Sequence, residues 1–158
     1  MAVLKGTNSY ATVAEADSYF ADRLNATAWT SADATLKGQS LVTAAKLLDE
    51  QRWIGTAVSE DQPLAFPRSG EYFDPRVGAS VYLSAGIPSR VINANFELAL
   101  HLLQNDALLE DTGGVSSLVV GPIQLTSLQK ANRIPKTVKT LITPLLINSG
   151  SSSWWRNN

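Results

Sequence analysis

The 158-residue chain contains no cysteine, one methionine and a single histidine. Without cysteine there can be no disulfide, no thiolate metal site and no cysteine nucleophile, so nothing in the sequence calls for an oxidising compartment, and a cytosolic origin fits. Long apolar runs are also missing. "LALHLL" and "SLVVG" fall far short of the roughly 18 residues of a membrane helix, and "MAVLKGTNSY" lacks the apolar core of a signal peptide. A soluble, unprocessed chain with no membrane partner is expected. Neither GxGxxG nor GxxxxGK[ST] occurs, and "DTGG" precedes a strand pattern rather than a helix. His101 lies inside "LALHLLQ", where a packed or half-exposed neighbour of the core is the ordinary outcome, so no triad or zinc site can be built on it. The acid pairs Asp49-Glu50, Glu60-Asp61 and Glu110-Asp111 sit at helix ends and loops and read as solvated charge. The expectation is a protein that is not an enzyme, with no catalytic residue, no metal and no cofactor.

What is present is 44% apolar and 17% charged residues, enough for one domain with its own core. The net charge of -1 hides an asymmetry: all 14 acids lie within residues 1 to 111, while Lys130, Arg133, Lys136, Lys139 and Arg156 follow with no acid among them. A basic final third suits an acidic partner, either nucleic acid or carboxylates of another protein, although a solvated helix face would look the same.

Thr12 and Glu15 have the spacing of a capping box, and Val13, Ala16, Tyr19, Phe20 and Leu24 then fall on one helical face. A turn around "NATAWTSAD" leads into a second helix from Asp33 to Arg52. Gly55 is suited to the left-handed closure of that helix. Pro88 opens a third helix whose two apolar stripes, Val91/Ala94/Leu98/Leu102 and Ile92/Phe96/Ala99/Leu103, mark it as central. A last helix begins at Pro135 and should kink or end at Pro144. Between these, "SLVVGPIQLT" reads as a β-hairpin about Gly121-Pro122, pairing Val120 with Ile123 and Leu118 with Leu125. The other face then carries Val119 and Gln124, candidate subunit contacts, because a lone hairpin must pack or extend a neighbour's sheet.

"DQPLAFPRSG" is stiffened by Pro63 and Pro67 and should run extended, with Leu64 and Phe66 on one side beside Trp53 as a lid on the core. Arg68 at its end either pairs with a local acid, Glu71 or Asp74, or faces a neighbouring subunit. Residues 69–86 read as loop with a short extended piece at Val81–Leu83. The end, "NSGSSSWWRNN", is a Ser/Gly spacer carrying Trp154, Trp155 and Arg156. Such a pair of tryptophans needs something to bury it, and Trp and Arg are frequent interface anchors, so the arm binds a partner or folds back onto its own domain. The fold expected is mainly α: a small bundle of about four helices with one β-hairpin near 116–127 in a domain of residues 1–148, and a flexible C-terminal arm at 149–158.

Three stretches, "NSYATVAEADSYFADRLNATAW", "AAKLLDEQRWIGTAVSEDQPLAFPRSG" and "GIPSRVINANFELALHLL", resemble in order and spacing a family of phage proteins often labelled DnaT-like single-stranded-DNA-binding, which look like head-tail connector adaptors of tailed bacteriophages. Phe66 stands where such proteins commonly carry tryptophan, a change compatible with the lid. The resemblance implies a structural virion protein of the neck, assembled in the host cytoplasm. It would form a homo-oligomeric ring, typically dodecameric, beneath the portal protein, extending the channel for packaged double-stranded DNA and presenting a platform to the next tail or nozzle protein. In that frame Trp154, Trp155 and Arg156 contact the portal, Val119, Gln124 and Arg68 join subunits, and Lys130, Arg133, Lys136 and Lys139 face DNA or an acidic partner. The alternative is a single-stranded-DNA-binding protein of phage replication, which would want aromatic and basic side chains interleaved on one surface.

Overall fold

A computed structural model describes residues 2–83, 86–104 and 134–147, and the backbone of 117–120 and 123–126. The element order is α1 (Val13–Ala21), α2 (Thr27–Ser31), α3 (Ala34–Asp49), β1 (Thr56–Ala57), β2 (Arg68–Ser69), β3 (Glu71–Asp74), β4 (Ala79–Tyr82), α4 (Ser89–Gln104), β5 (Ser117–Val120), β6 (Ile123–Thr126), α5 (Lys136–Ile142) and a 3-10 turn at Thr143–Leu145. The protein is mainly α with a β-hairpin, as the helical periodicity requires.

The capping box at α1 forms: the Thr12 hydroxyl accepts from the Glu15 amide at 3.2 Å, and the Glu15 carboxylate accepts from the Thr12 amide at 2.8 Å. Asp33 caps α3 by accepting from Leu36 N at 2.8 Å. That helix stops at Asp49, three residues before the expected Arg52. Trp53 turns back and its indole N–H donates at 3.0 Å to Leu48 O, a carbonyl of the last turn that also accepts from Gln51 N at 3.0 Å. Pro88 stands just outside α4, its carbonyl accepting from Val91 and Ile92, one residue earlier than expected. Helix α5 follows Pro135 and gives way at Thr143 to the 3-10 turn containing Pro144, as a missing amide demands.

Where a turn was expected, residues 27–31 form α2. Five residues are too few to hold a helix by propensity; α2 persists because Trp29 is buried and its indole N–H donates to Asp17 Oδ1 at 2.8 Å. Helix α4 is the centre of the bundle, with α3 and α5 packed on it and α1 and α2 bracing one end. Leu41, Ala44, Ala45 and Leu48 of α3 meet Val91, Ala94, Leu98 and Ala99 of α4, and Val138 and Ile142 of α5 close the far side. Each large apolar side chain so buried contributes about 1.5–3 kcal/mol. Phe20 stacks against Trp29 at 4.9 Å and Tyr19 against Phe96 at 5.0 Å, tying α1 into the core.

One hairpin was expected, and three antiparallel pairs occur among the described residues: β1 with β2, β3 with β4, and β5 with β6. The β5–β6 register matches the reading, with Leu118 opposite Leu125, Val119 opposite Gln124 and Val120 opposite Ile123; the Gly121-Pro122 turn lies outside the described residues, as does the arm at 149–158. The loop assigned to residues 69–86 is replaced by β3–β4. Its inward positions are Tyr72 and Asp74, and a buried carboxylate on the inner face erases the apolar alternation by which strands are recognised.

The lid covers the core as expected, but it bends at residues 63–65 and 67, with a cis Phe66-Pro67 bond, instead of running extended. Leu64 and Phe66 are buried, and the Phe66 ring meets Trp53 edge-on at 5.0 Å and Tyr10 at 6.1 Å. Asp49 fastens the strip from below, accepting from Ala65 N at 3.2 Å and from the Tyr10 hydroxyl. Burial pushes the Asp49 carboxyl up from its ordinary range. Gly55 has the positive φ expected of it, 76°, but it does not close a helix. A Cβ there would meet Ser69 O at 2.2 Å, so glycine lets β1 lie against β2.

Candidate interaction surfaces

Besides the burial of Tyr72 in the core, one carboxylate ties the β3–β4 hairpin to the bundle. Asp74 Oδ1 accepts from Arg90 Nη2 at 2.6 Å and from Arg76 N at 2.9 Å, while Oδ2 accepts from Arg76 Nη2 at 3.0 Å and the Tyr72 hydroxyl at 3.2 Å. Arg90 comes from the first turn of α4 and is itself buried, so this cluster staples a surface hairpin to the central helix. Arg90, then Arg76, hold the Asp74 carboxyl far below the usual carboxylate range, and burial raises the Tyr72 hydroxyl. The chain reverses through Pro75–Gly78, with Val77 N and Gly78 N both donating to Asp74 O and Gly78 at φ 71°. "DPRVG" is a turn signature, and it was the signal available in the sequence for this hairpin.

With Tyr72 and Asp74 inward, the other face is left to solvent. Phe73 is 60% exposed, Val77 65% and Tyr82 73%. Phe73 and Tyr82 are diagonal neighbours across the pair, since Glu71 opposes Tyr82 and Phe73 opposes Ser80. Between the hairpin and the start of α4 opens a pocket of about 330 Å³, lined on its apolar side by Val77, Val81, Tyr82, Ile87 and Pro88 and bordered by Asp74 and Arg76. None of these aromatics was singled out from the sequence.

The sequence-based candidates lie apart from this face or outside the described residues. Arg68 pairs with neither Glu71 nor Asp74. It donates to Ile54 O at 2.9 Å, Gly55 O at 2.5 Å, Ala65 O at 3.3 Å and Trp53 O at 3.4 Å, binding the lid to β1 within one subunit. Lys136 and Lys139 are exposed on α5. Val119 and Gln124 oppose each other in the β5–β6 pair. Lys130, Arg133, Trp154, Trp155 and Arg156 fall outside the described residues. Of the ten described lysines and arginines, five are held by acids: Lys5 by Glu15, Arg23 by Glu97, Lys37 by Asp17, and Arg76 and Arg90 by Asp74.

A second, polar cleft of about 590 Å³ runs between the end of α1, α4 and α5, with Asp22, Arg23, Glu97, His101, Gln104 and Thr137 on its walls. Arg23 grips Glu97 bidentately at 2.6 Å through Nε and Nη2, and the Tyr19 hydroxyl donates to the same carboxylate at 2.7 Å. Burial and then Glu97 push that hydroxyl up to about 12. His101 lines this cleft on the half-buried side of α4.

A family model described as "Putative DnaT-like ssDNA binding protein" matches residues 2–157. The chain belongs to that family. The match spans the helical bundle, all three strand pairs and the final tryptophans together, which ties the basic last third to the same family unit as the bundle. No curated protein and no solved structure matches the chain.

Proposed function

We propose that this family member is a non-catalytic assembly subunit, a head-to-tail adaptor whose copies form a ring that continues the DNA channel under a portal and offers a platform to the tail. The observation that carries the reading is the β5–β6 pair, a two-stranded sheet with no other described strand on either edge. Two strands alone are marginal in water, and bare edges accept a neighbour's strand. Val119 and Gln124 stand at the middle of that pair as subunit contacts. Closed rings of such heterologous contacts follow when the rotation closes. Half the described cations are committed to internal acids; among the others, Lys136 and Lys139 lie in the acid-free final third with Lys130 and Arg133 just before them in sequence, and these are the groups to face channel DNA or acidic portal loops.

The test is light scattering and negative-stain microscopy of the purified chain, alone and with its portal protein. Rings, or a ring seated on the portal, are the expected result. A monomer that ignores the portal at high concentration would sink the reading.

The second reading is single-stranded DNA binding in replication, which the family's description favours, whereas no match favours the adaptor. Its structural support is the exposed pair Phe73 and Tyr82 with Arg76 at the hairpin turn, a small platform on which bases could stack. Against it, Arg76 already faces Asp74 and Glu71 lies opposite Tyr82. Nanomolar oligonucleotide binding that weakens steeply with salt would establish this reading in place of the adaptor.

A further inference from the structure

The exposed face of the β3–β4 hairpin and the pocket beneath it have the chemistry of a receptor for a short aromatic segment, and the chain carries one. Val77, Val81, Tyr82, Ile87 and Pro88 give the pocket an apolar wall at the edge of the hairpin, and Phe73 extends the apolar surface outside it. The last described residues lie beside the same hairpin. Ile147 N donates to Arg52 O at 2.9 Å, and the 3-10 turn just before it packs on β3. From Ile147 to Trp154 is seven residues, a reach of up to about 23–25 Å, ample to round the edge of a two-stranded sheet whose strands lie about 5 Å apart.

We infer that Trp154 and Trp155 dock on the hairpin of their own subunit, one indole in the pocket lined by Val77, Val81, Tyr82, Ile87 and Pro88. The charges agree. Glu71 lies exposed on the hairpin while Arg76 is turned to Asp74, and the segment after Asn148 bears Arg156 and no acid. The tether decides between the chain's own hairpin and that of a second copy: a short linker supplies a local concentration on the order of 1 mM, far above micromolar protein in solution. The docked segment covers the aromatic face in the free subunit and yields it to a stronger partner. This inference does not depend on whether the chain forms rings or binds DNA.

The experiment uses the full chain. Trp29 and Trp53 are buried and form a constant background, so subtracting the fluorescence of a W154A/W155A chain isolates the signal of the final pair. Acrylamide quenching of that signal is compared between the native chain and a V77D/Y82A chain, whose substitutions fall at exposed positions and whose fold is checked by circular dichroism against the native chain. A contact as weak as about 0.1 mM is about nine-tenths made at millimolar local concentration, so its release raises the quenchable share of the signal roughly tenfold. A photo-crosslinker at position 82 should capture residues 149–158 within the monomer band. Equal quenching in the two chains overturns the inference, as does protection that survives V77D/Y82A. Protection that disappears on dilution, with crosslinks only between molecules, overturns it in favour of a second copy as the occupant.

Discussion

Two adjoining segments, the lid at 61–67 with Phe66 and the hairpin at 71–82 with Phe73 and Tyr82, treat these aromatic residues in opposite ways. The lid buries Phe66 to 1% exposure against Trp53 and Tyr10, whereas the hairpin leaves Phe73 and Tyr82 mostly in solvent and turns a carboxylate inward. The difference is one of attachment. The lid rests mainly on apolar contact, with Asp49 and Arg68 hydrogen-bonding its backbone at Ala65; the hairpin buries Tyr72 but adds a charge cluster joining Asp74 to Arg76 and Arg90. An element fastened by a few ionic and hydrogen-bonding groups keeps its apolar side chains free for another surface, which is what a contact element requires and a structural strip does not.

The comparison breaks most visibly at the lid. Phe66→Ala removes the ring wedged between Trp53 and Tyr10, and truncations of this kind cost about 3–5 kcal/mol; urea unfolding should show the whole domain weakened. An effect below about 1 kcal/mol would mean that the strip rests on the surface. Next comes Asp74→Asn, which leaves Arg90 buried beside a neutral amide. Its damage should be concentrated in the hairpin, read as loss of hydrogen-exchange protection at residues 71–82 with α3 unaffected. Because the folded Asp74 carboxyl is held low by Arg90 and Arg76, its stabilisation is complete above the unfolded carboxylate value of about 3.9 and is lost as pH falls below it. Hairpin protection should therefore fall on acidification in the native chain and stay flat in Asp74→Asn. A smaller effect is expected at the junction of the two segments, where Arg68→Ala deletes donors to four backbone carbonyls and costs about 1–3 kcal/mol.

The sequence made one of these segments legible and hid the other, for physical reasons. Prolines at 63 and 67 exclude helix and central strand, and the burial of Leu64 and Phe66 was legible, but the strip bends at residues 63–65 and 67 instead of running extended. The helices α1, α4 and α5 were legible through their start signals and apolar stripes, although Leu24 lies past the end of α1 and is 87% exposed, and the β5–β6 register was legible from pairing outward from a glycine-proline turn. The β3–β4 pair was opaque because its inward face carries Tyr72 and Asp74 and its outward face Phe73 and Tyr82, the reverse of the usual pattern; only the "DPRVG" turn announced it. Helix α2 was hidden because its cause is tertiary, an indole reaching Asp17 on another helix. Arg68 shows the same limit. Its partners are backbone carbonyls brought near by β1–β2 pairing, and no residue type in the sequence marks a carbonyl cluster.

The smallest effect on stability is the most informative. Phe73 faces solvent on a strand whose attachment lies on the opposite side, so Phe73→Ser should change unfolding free energy by no more than about 0.5 kcal/mol, the ordinary range for exposed positions. The same substitution should weaken assembly or oligonucleotide binding about tenfold, which corresponds to about 1.4 kcal/mol. Loss of binding at constant stability identifies a recognition surface, whichever partner it serves. If Phe73→Ser instead unfolds the domain as readily as Phe66→Ala, the two segments are held alike, and the hairpin's outer face belongs to the fold.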